Sequence, residues 1–302
     1  MDRLIEDFLK DCKIRGMAPK TVLHYMYCLK EFRGHLDGVN LLAVDKDVLK
    51  SFIEYLRGEG RSRKTIENIF SVLSSFYKYL VFEGSIVANP VLPIRERYLK
   101  SYKNSGPAHE RKLISIDDMA GLINSTMDIR DKAIISLLAK TGIRRNELIT
   151  LDISDVDFVE QKIRLKPTAK RTNRTVFFDD EVAFILRRWL KIREGRNPKH
   201  SPALFLNAEG DRLERRGVYD AVVKAAMRIG LHDPDSERME DHFSPHCCRH
   251  WFTTHLRRAG MPREFIQELR GDARKEAIDI YDHIDKKELR ESYLAHIPQL
   301  GI

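Results

Sequence analysis

The sequence predicts a mainly α-helical protein of two domains, with one small β-sheet in the second domain. Apolar residues repeat at helical spacing through residues 1–90, without the two-residue alternation that is typical of strands. After a segment without such periodicity, helical patterns return and are interrupted by two short runs that resemble a hairpin. The chain has 302 residues, which is enough for two separate hydrophobic cores.

The first domain, residues 1–99, is predicted to contain four helices. Pro19 suits the first turn of the second helix, and the third helix spans residues 45–56. Ser62 is the expected N-cap of the fourth helix. The apolar stripe of the first helix consists of Leu4, Ile5, Phe8, Leu9 and Cys12.

A basic cluster lies at the start of the fourth helix. Arg61, Arg63 and Lys64 stand where free backbone N–H groups favour a phosphate, so we predict that this cluster binds DNA. The alternative is an ordinary solvated basic turn, which is at least as common for such a cluster taken alone.

Residues 100–112 form a predicted linker, because they contain Asn-Ser-Gly-Pro and several charges but no apolar periodicity. The second domain, residues 113–302, is predicted to be helical around a hairpin of residues 162–166 and 174–178, with a turn near 171–173. Its expected helices span residues 115–123, 130–140, 181–192, 217–229, 245–259, 262–269 and 273–284, and residues 203–206 suggest a further strand.

Composition favours a globular protein with a polyanionic partner. The formal net charge is +8 and the isoelectric point is about 9.2. No apolar run approaches the roughly 20 residues of a membrane span, and the start of the chain suits an amphipathic helix rather than a signal peptide. We therefore expect a cytoplasmic protein without a membrane partner, with its four cysteines reduced: Cys12, Cys28, Cys247 and Cys248.

Four residues stand in an order that suits phosphodiester chemistry. Arg144 follows Thr-Gly-Ile, His246 and Arg249 lie three apart after Ser-Pro at a predicted helix start, and Tyr281 comes late in the chain. Two arginines from separate segments can each make paired hydrogen bonds to one phosphate. A phenol near such positive charge can act as a nucleophile, although a tyrosine on a helix is usually a packing residue.

This ordered set resembles the tyrosine recombinase family of phage integrases and Xer-like proteins, including archaeal and mobile-element integrases. The resemblance covers nearly the whole chain. It implies a helical core-binding (SAM-like) N-terminal domain and an α+β catalytic domain that close around double-stranded DNA. It also implies a reaction without metal or other cofactor, in which four protomers act on two DNA sites, with a monomer in solution as one option.

The resemblance places the first catalytic arginine at Arg144. The adjacent Arg145 is the alternative, but we expect it to face solvent. His246 and Arg249 match the second group of the family. A catalytic lysine is expected near the hairpin tip as a general acid, and counting back from the second strand favours Lys170 over Lys166.

Tyr281 matches the family's nucleophile segment. Tyr293 is a rival, but its place before Pro298 favours a C-terminal packing helix. By resemblance, the tail, residues 289–302, is expected to pack on a neighbouring protomer, and the alternative is packing on its own domain.

One position departs from the family pattern. The usual Leu-Gly-His before the nucleophile helix is Leu-Arg-Gly-Asp here, which puts Asp272 in place of a second histidine. Asp272 either caps the helix that carries Tyr281 or orients Arg249 or another cation, and we favour the cap. His283 is a candidate substitute for the missing donor.

The leading hypothesis is a site-specific DNA recombinase that cleaves and rejoins DNA through a 3′-phosphotyrosine. Its role could be integration, excision or dimer resolution. A second hypothesis is a catalytically impaired DNA-binding accessory factor of the same fold, suggested by Asp272. A third is a strand-relaxing enzyme like a type IB topoisomerase. We expect no metal site, because side chains so crowded on one helix cannot all converge on one ion: His246, Cys247, Cys248 and His250.

Overall fold

The computed structural model describes residues 2–100, 113–167, 174–236, 238–272 and 284–302. The chain separates into two compact units, Met1–Gly106 and Pro107–Ile302, each with its own buried core. The described residues are mostly helical and include a three-stranded sheet, which confirms the predicted mainly α class with a small sheet.

The first unit is a helical bundle with an aromatic core. Its helices are α1 (Arg3–Ile14), α2 (Pro19–His35), α3 (Lys46–Gly58), α4 (Arg63–Phe82) and the short α5 (Val91–Ile94), which continues as a π-helical turn, Arg95–Leu99. Ser62 caps α4 as predicted, since its Oγ accepts a hydrogen bond from the Thr65 N–H at 3.2 Å. Phe8, Phe52 and Phe76 are fully buried. The turn after residue 90 is an element that periodicity did not reveal, because it is too short.

The second unit is built around one buried helix. Its helices are α6 (Ile116–Asn124), α7 (Ile129–Thr141), α8 (Arg145–Thr150), α9 (Asp180–Gly195), α10 (Arg215–Arg228), α11 (Pro245–Arg258), α12 (Arg263–Arg270) and α13 (Lys286–His296). Helix α7 packs against α9, α10 and α11, and its residues 133–141 are all buried. This burial explains why residues 133–139, apart from Ser136, are apolar on every side of the helix.

The sheet contains strands β1 (Val156–Asp157), β2 (Lys162–Leu165) and β3 (Arg174–Phe177) in that order. Strands β2 and β3 are antiparallel, with Ile163 opposite Val176, so the two predicted hairpin strands are confirmed. The turn between them lies outside the described residues. The strand expected at residues 203–206 is wrong: the segment makes only isolated bridges, and its apolar pattern reflects burial in the core.

The C-terminal tail packs on its own domain, which corrects the expectation that it packs on a neighbouring protomer. Leu289 and Tyr293 of α13 are fully buried in the core of the second unit, and Ile297 and Leu300 are also buried there. The apolar stripe of the tail thus finds its burial within the same chain.

A buried ammonium group anchors this tail. Lys140 is fully buried, and its Nζ donates to Asp179 Oδ2 at 2.6 Å, to Glu181 and to the Pro298 carbonyl oxygen at 2.6 Å. Glu181 also accepts hydrogen bonds from the backbone N–H groups of the last residues, at 3.0 Å from Leu300. Burial alone would raise the pKa of Glu181, but the hydrogen bonds from Lys140 and from the tail hold it below its usual value.

The four cysteines are free thiols, as predicted: Cys12, Cys28 and Cys248 are buried and Cys247 is half-buried. Among the described helices, none is both long and apolar enough to cross a membrane.

Candidate active site

Arg144 is positioned by the sharp junction between α7 and α8. Gly142 ends α7 with a φ of 60°, a left-handed conformation, and a β carbon there would lie 2.3 Å from Phe252 Cδ1. Arg144 then precedes α8, and its backbone N–H donates to Glu147 Oε2 at 2.7 Å. The predicted helix stop before Arg144 is confirmed, and it projects the side chain from a rigid corner.

His246 and Arg249 share the first turns of α11. Pro245 occupies the first turn, and the buried Trp251 and Phe252 fix the helix in the core. Both His246 and Arg249 line a cavity of about 360 Å³ that Arg144 also lines. The structure therefore brings together three of the five predicted catalytic residues.

Three arginines converge on one backbone oxygen, the carbonyl of Arg270 at the end of α12. It accepts hydrogen bonds from Arg144 Nη1 at 3.1 Å, Arg174 Nη1 at 2.6 Å and Arg249 Nη2 at 2.9 Å. Arg249 Nη1 also donates to the Gly142 carbonyl oxygen at 2.5 Å. These main-chain contacts fix the guanidinium groups before any ligand binds, which is the preorganisation that anion stabilisation needs. We call Arg144, Arg174 and Arg249 the arginine centre.

Asp272 contacts the arginine centre directly. Its Oδ1 lies 3.3 Å from Arg144 Nη2 and 3.4 Å from Arg249 Nη2, and its Oδ2 lies 2.9 Å from Arg270 Nε. These contacts agree with the interpretation in which Asp272 orients Arg249 and another cation. The helix that Asp272 was predicted to cap lies outside the described residues, so the preferred interpretation stays a prediction.

The surroundings of Arg249 disfavour its charged form. Burial, followed by the nearby charges of Arg144 and Arg270, lowers the pKa of Arg249 to about 9, and Asp272 opposes this shift. Arg249 is still protonated at neutral pH. A phosphate bound beside it would favour the charged form further, because an opposite charge close by raises the pKa of a cation.

Arg174 and Glu147 belong to the site although the sequence did not point to them. Arg174 is buried, and its Nη2 donates to Glu147 Oε2 at 2.8 Å. Gly271 has a φ of 59°, in the left-handed region that favours glycine, and a β carbon there would lie 2.1 Å from Arg174 Nη1. Two signals were present: Glu147 stands three residues after Arg144, and Arg174 is a charged residue in an apolar strand.

The two candidate lysines differ in what the structure describes. Lys166 Nζ lies 2.5 Å from Asp152 Oδ2, so this lysine is already engaged at the base of the hairpin. Lys170 lies outside the described residues, and so do Tyr281 and His283.

Tyr293 is a packing residue, as predicted. It is fully buried, its hydroxyl donates to the Lys140 carbonyl oxygen at 2.9 Å, and burial raises its pKa well above the usual value. A phenol held in this way cannot reach a phosphodiester.

Arg145 does not simply face solvent, which corrects the expectation for it. It is half-buried and lines the same cavity as Arg144, because α8 starts at this residue and turns it toward α10.

The basic cluster of the first unit is engaged in exposed ion pairs. Arg61 pairs with Glu31 at 3.3 Å, and Arg63 and Lys64 pair with Glu67 at 3.3 and 3.2 Å. Arg63 also donates to the Lys100 carbonyl oxygen at 2.9 Å. These contacts are those of a solvated basic turn, and DNA binding by this cluster stays a prediction.

Comparison with known proteins assigns the family. The phage integrase family model matches residues 111–288, and the model of the phage integrase N-terminal SAM-like domain matches residues 5–84. The chain belongs to the phage integrase family. It is 31% identical to tyrosine recombinase XerC of Thermodesulfovibrio yellowstonii over 300 residues, covering 96% of this chain and 94% of the relative. It is 25% identical to tyrosine recombinase XerD of Staphylococcus epidermidis, covering 99% and 100% of the two chains.

Solved structures of the family share the fold. The Tn1549 transposon integrase in complex with transposon right end DNA aligns with a TM-score of 0.73 at 20% identity, covering 95% of this chain and 97% of that one. A lambda integrase dimer bound to a COC′ core site aligns with a TM-score of 0.71 at 18% identity, covering 94% and 98%. Family membership confirms the resemblance that the ordered motifs indicated.

Proposed function

We propose that this chain is a site-specific DNA recombinase that cleaves and rejoins double-stranded DNA through a 3′-phosphotyrosine. The observation that carries the proposal is the convergence of Arg144 and Arg249, from different segments, on the same carbonyl and carboxylate oxygens beside His246. Two fixed guanidinium groups with donors aimed at one place suit a phosphodiester whose negative charge grows in the transition state.

The reaction conserves the energy of the phosphodiester bond. The Tyr281 phenol oxygen attacks phosphorus, the bond from phosphorus to the 5′-oxygen breaks, and a 3′-phosphotyrosyl linkage forms. His246 accepts the proton of the Tyr281 hydroxyl, and Lys170 gives a proton to the departing 5′-oxygen. In the second step the 5′-hydroxyl of another strand attacks phosphorus and gives its proton to Lys170, and the bond from phosphorus to the Tyr281 oxygen breaks as His246 returns a proton to that oxygen. Arg144 and Arg249 offset the negative charge in both steps.

The partner in this proposal is double-stranded DNA. The +8 net charge supports it, as do the integrase complexes with DNA that share the fold. We further infer that four protomers act on two DNA sites in the cytoplasm. DNA affinity should fall as salt rises, because phosphate contacts release counterions.

The test is the capture of a covalent adduct. A pool of nicked duplexes that includes the DNA flanking the gene is incubated with the wild type and with Tyr281→Phe, and is then denatured in detergent. We expect an adduct with the wild type only, and sequencing of the trapped ends gives the target site.

Tyr293→Phe is the matched control. It removes one buried phenol hydroxyl that donates to the Lys140 carbonyl oxygen, so we expect it to keep the adduct. An adduct with Tyr281→Phe would overturn the choice of nucleophile. Tight DNA binding without an adduct from the wild type, on DNA that contains the cognate site, would favour the accessory-factor hypothesis.

A further inference from the structure

The cavity at the active site has more positive charge than one phosphate needs. Besides Arg144, His246 and Arg249, its lining includes Arg145 and Arg215. Its volume of about 360 Å³ is at the low end of the range for small-molecule sites. Neither Arg145 nor Arg215 takes part in the hydrogen bonds of the arginine centre to the Arg270 carbonyl oxygen.

The arginines of the cavity differ in their counter-charges. Arg144 and Arg249 share Asp272, but Arg145 and Arg215 have no carboxylate within 4 Å among the described residues. Arg216, the next residue after Arg215, pairs with Asp220 at 2.8 Å. Of the four arginines that line the cavity, Arg145 and Arg215 are therefore the two without a nearby carboxylate among the described residues.

Arg145 and Arg215 are also close enough to repel each other. Burial, and then the charge of Arg215, lowers the pKa of Arg145. Like charges brought together on a protein cost free energy unless an anion joins them. A ligand with negative charge would remove that cost.

Both arginines stand on fixed elements. Arg145 is the first residue of α8 and Arg215 the first residue of α10, and the two helices pack against each other. The buried Leu148 and Val218 anchor them in the core of the second unit. Packing thus fixes the backbone at both positions, while Arg145 is half-buried and Arg215 is exposed.

We propose that Arg145 and Arg215 bind a second backbone phosphate of the cleaved strand, next to the phosphate that Arg144 and Arg249 hold. This inference rests on the proposed function, because the substrate is the same DNA strand. Successive phosphates of a strand are about 3.4 Å apart along the helix axis, so a strand with one phosphate at Arg144 brings the next into reach. Arginine suits this role, since its fork matches two phosphate oxygens.

The salt dependence of DNA binding measures this contact. The affinity of the full chain for a fixed duplex is measured from 0.05 to 0.2 M salt for the wild type and for the double variant Arg145→Gln/Arg215→Gln. Loss of one phosphate contact makes the slope of log affinity against log salt less steep by about 0.9. Between 0.05 and 0.2 M salt, the variant should therefore lose affinity by a factor about 3.5 times smaller than the wild type does. Arg216→Gln is the matched control, and we expect it to leave the slope unchanged.

A charge-conserving variant separates contact from folding. Arg145→Lys/Arg215→Lys keeps both charges, so its slope should return to that of the wild type. A slope in the glutamine variant equal to that of the wild type would overturn the proposal, and so would an equal loss in Arg216→Gln.

Adduct formation is followed in parallel and keeps the two proposals apart. If the double glutamine variant has the slope of the wild type and the wild type forms the adduct, the second phosphate contact is rejected and the recombinase function is kept. If the double glutamine variant has a less steep slope but the wild type forms no adduct, the recombinase function is rejected and a DNA contact at Arg145 and Arg215 is kept.

Discussion

The basic cluster of the first unit and the arginine centre of the second differ in what holds their charges. In the cluster, Arg61 and Lys64 are paired with nearby glutamates at the surface. In the centre, the buried guanidinium groups of Arg174 and Arg249 and the half-buried one of Arg144 are fixed by main-chain carbonyl oxygens, those of Arg270 and Gly142. Exposed pairs rearrange freely in water, whereas buried donors keep their direction. The comparison teaches that fixed donors, more than the number of charges, mark a catalytic phosphate site.

The largest expected effect separates the two regions by reaction rate. Arg249→Gln should lower the rate of adduct formation by about 10²- to 10³-fold, because it removes a preorganised donor from the transition state. The rate is measured at saturating DNA, so that weaker binding does not contribute. Arg61→Gln, the matched change in the cluster, should leave this rate unchanged. A loss below tenfold in Arg249→Gln would contradict the role of the centre.

The second effect extends the contrast between buried and exposed charges to stability. Lys140→Met leaves Asp179 and Glu181 buried without their ammonium partner, which should cost about 3–5 kcal/mol in the free energy of unfolding. Lys191→Met, on the exposed side of α9, is the control and should change it by less than about 0.5 kcal/mol. Urea denaturation followed by circular dichroism measures both. Equal stabilities would show that the buried ammonium does not anchor the tail.

Much of the fold follows from local sequence signals. The cap at Ser62, the stop at Gly142 and the two strands of the hairpin were predictable, because short-range sterics and apolar periodicity determine them. The place of the tail was not predictable in this way. An apolar stripe shows that a helix needs burial, but not whether its own domain or a neighbour provides it.

The same distinction, between local sequence signals and contacts distant in sequence, applies to the residues of the site. Arg144, His246 and Arg249 were predictable from their ordered motifs, and the structure brings them to one cavity. Arg174 was missed because its role depends on the Arg270 carbonyl oxygen, which is distant in sequence and carries no side-chain signal. The position of Arg145 depends on how α8 meets α10, which periodicity does not reveal.

A third effect concerns the carboxylate that distinguishes this centre. Asp272 is about one-third exposed and competes with a phosphate for Arg144 and Arg249. Asp272→Asn keeps an accepting oxygen but removes the charge, so DNA affinity at 0.1 M salt should rise about 5-fold, or about 1 kcal/mol. Fluorescence anisotropy measures it. Asp285→Asn removes the same charge from the cap of α13 and should have a smaller effect. Weaker binding in Asp272→Asn would mean that orientation of the arginines outweighs repulsion.

The smallest effect tests the cluster itself. Lys64 is 78% exposed, and its pair with Glu67 is screened by water, so Lys64→Gln should change the free energy of unfolding by less than about 0.5 kcal/mol. If Lys64 binds a phosphate as predicted, the same variant lowers the salt slope of DNA binding by about 0.9, because one counterion-releasing contact is lost. An unchanged slope would leave the solvated basic turn as the interpretation of this cluster. The free energy of unfolding reports on the pair of Lys64 with Glu67, and the salt slope reports on a contact of Lys64 with DNA. An exposed lysine can exchange its glutamate for a phosphate at little cost in free energy. The buried Arg249 cannot leave its carbonyl partners in the same way.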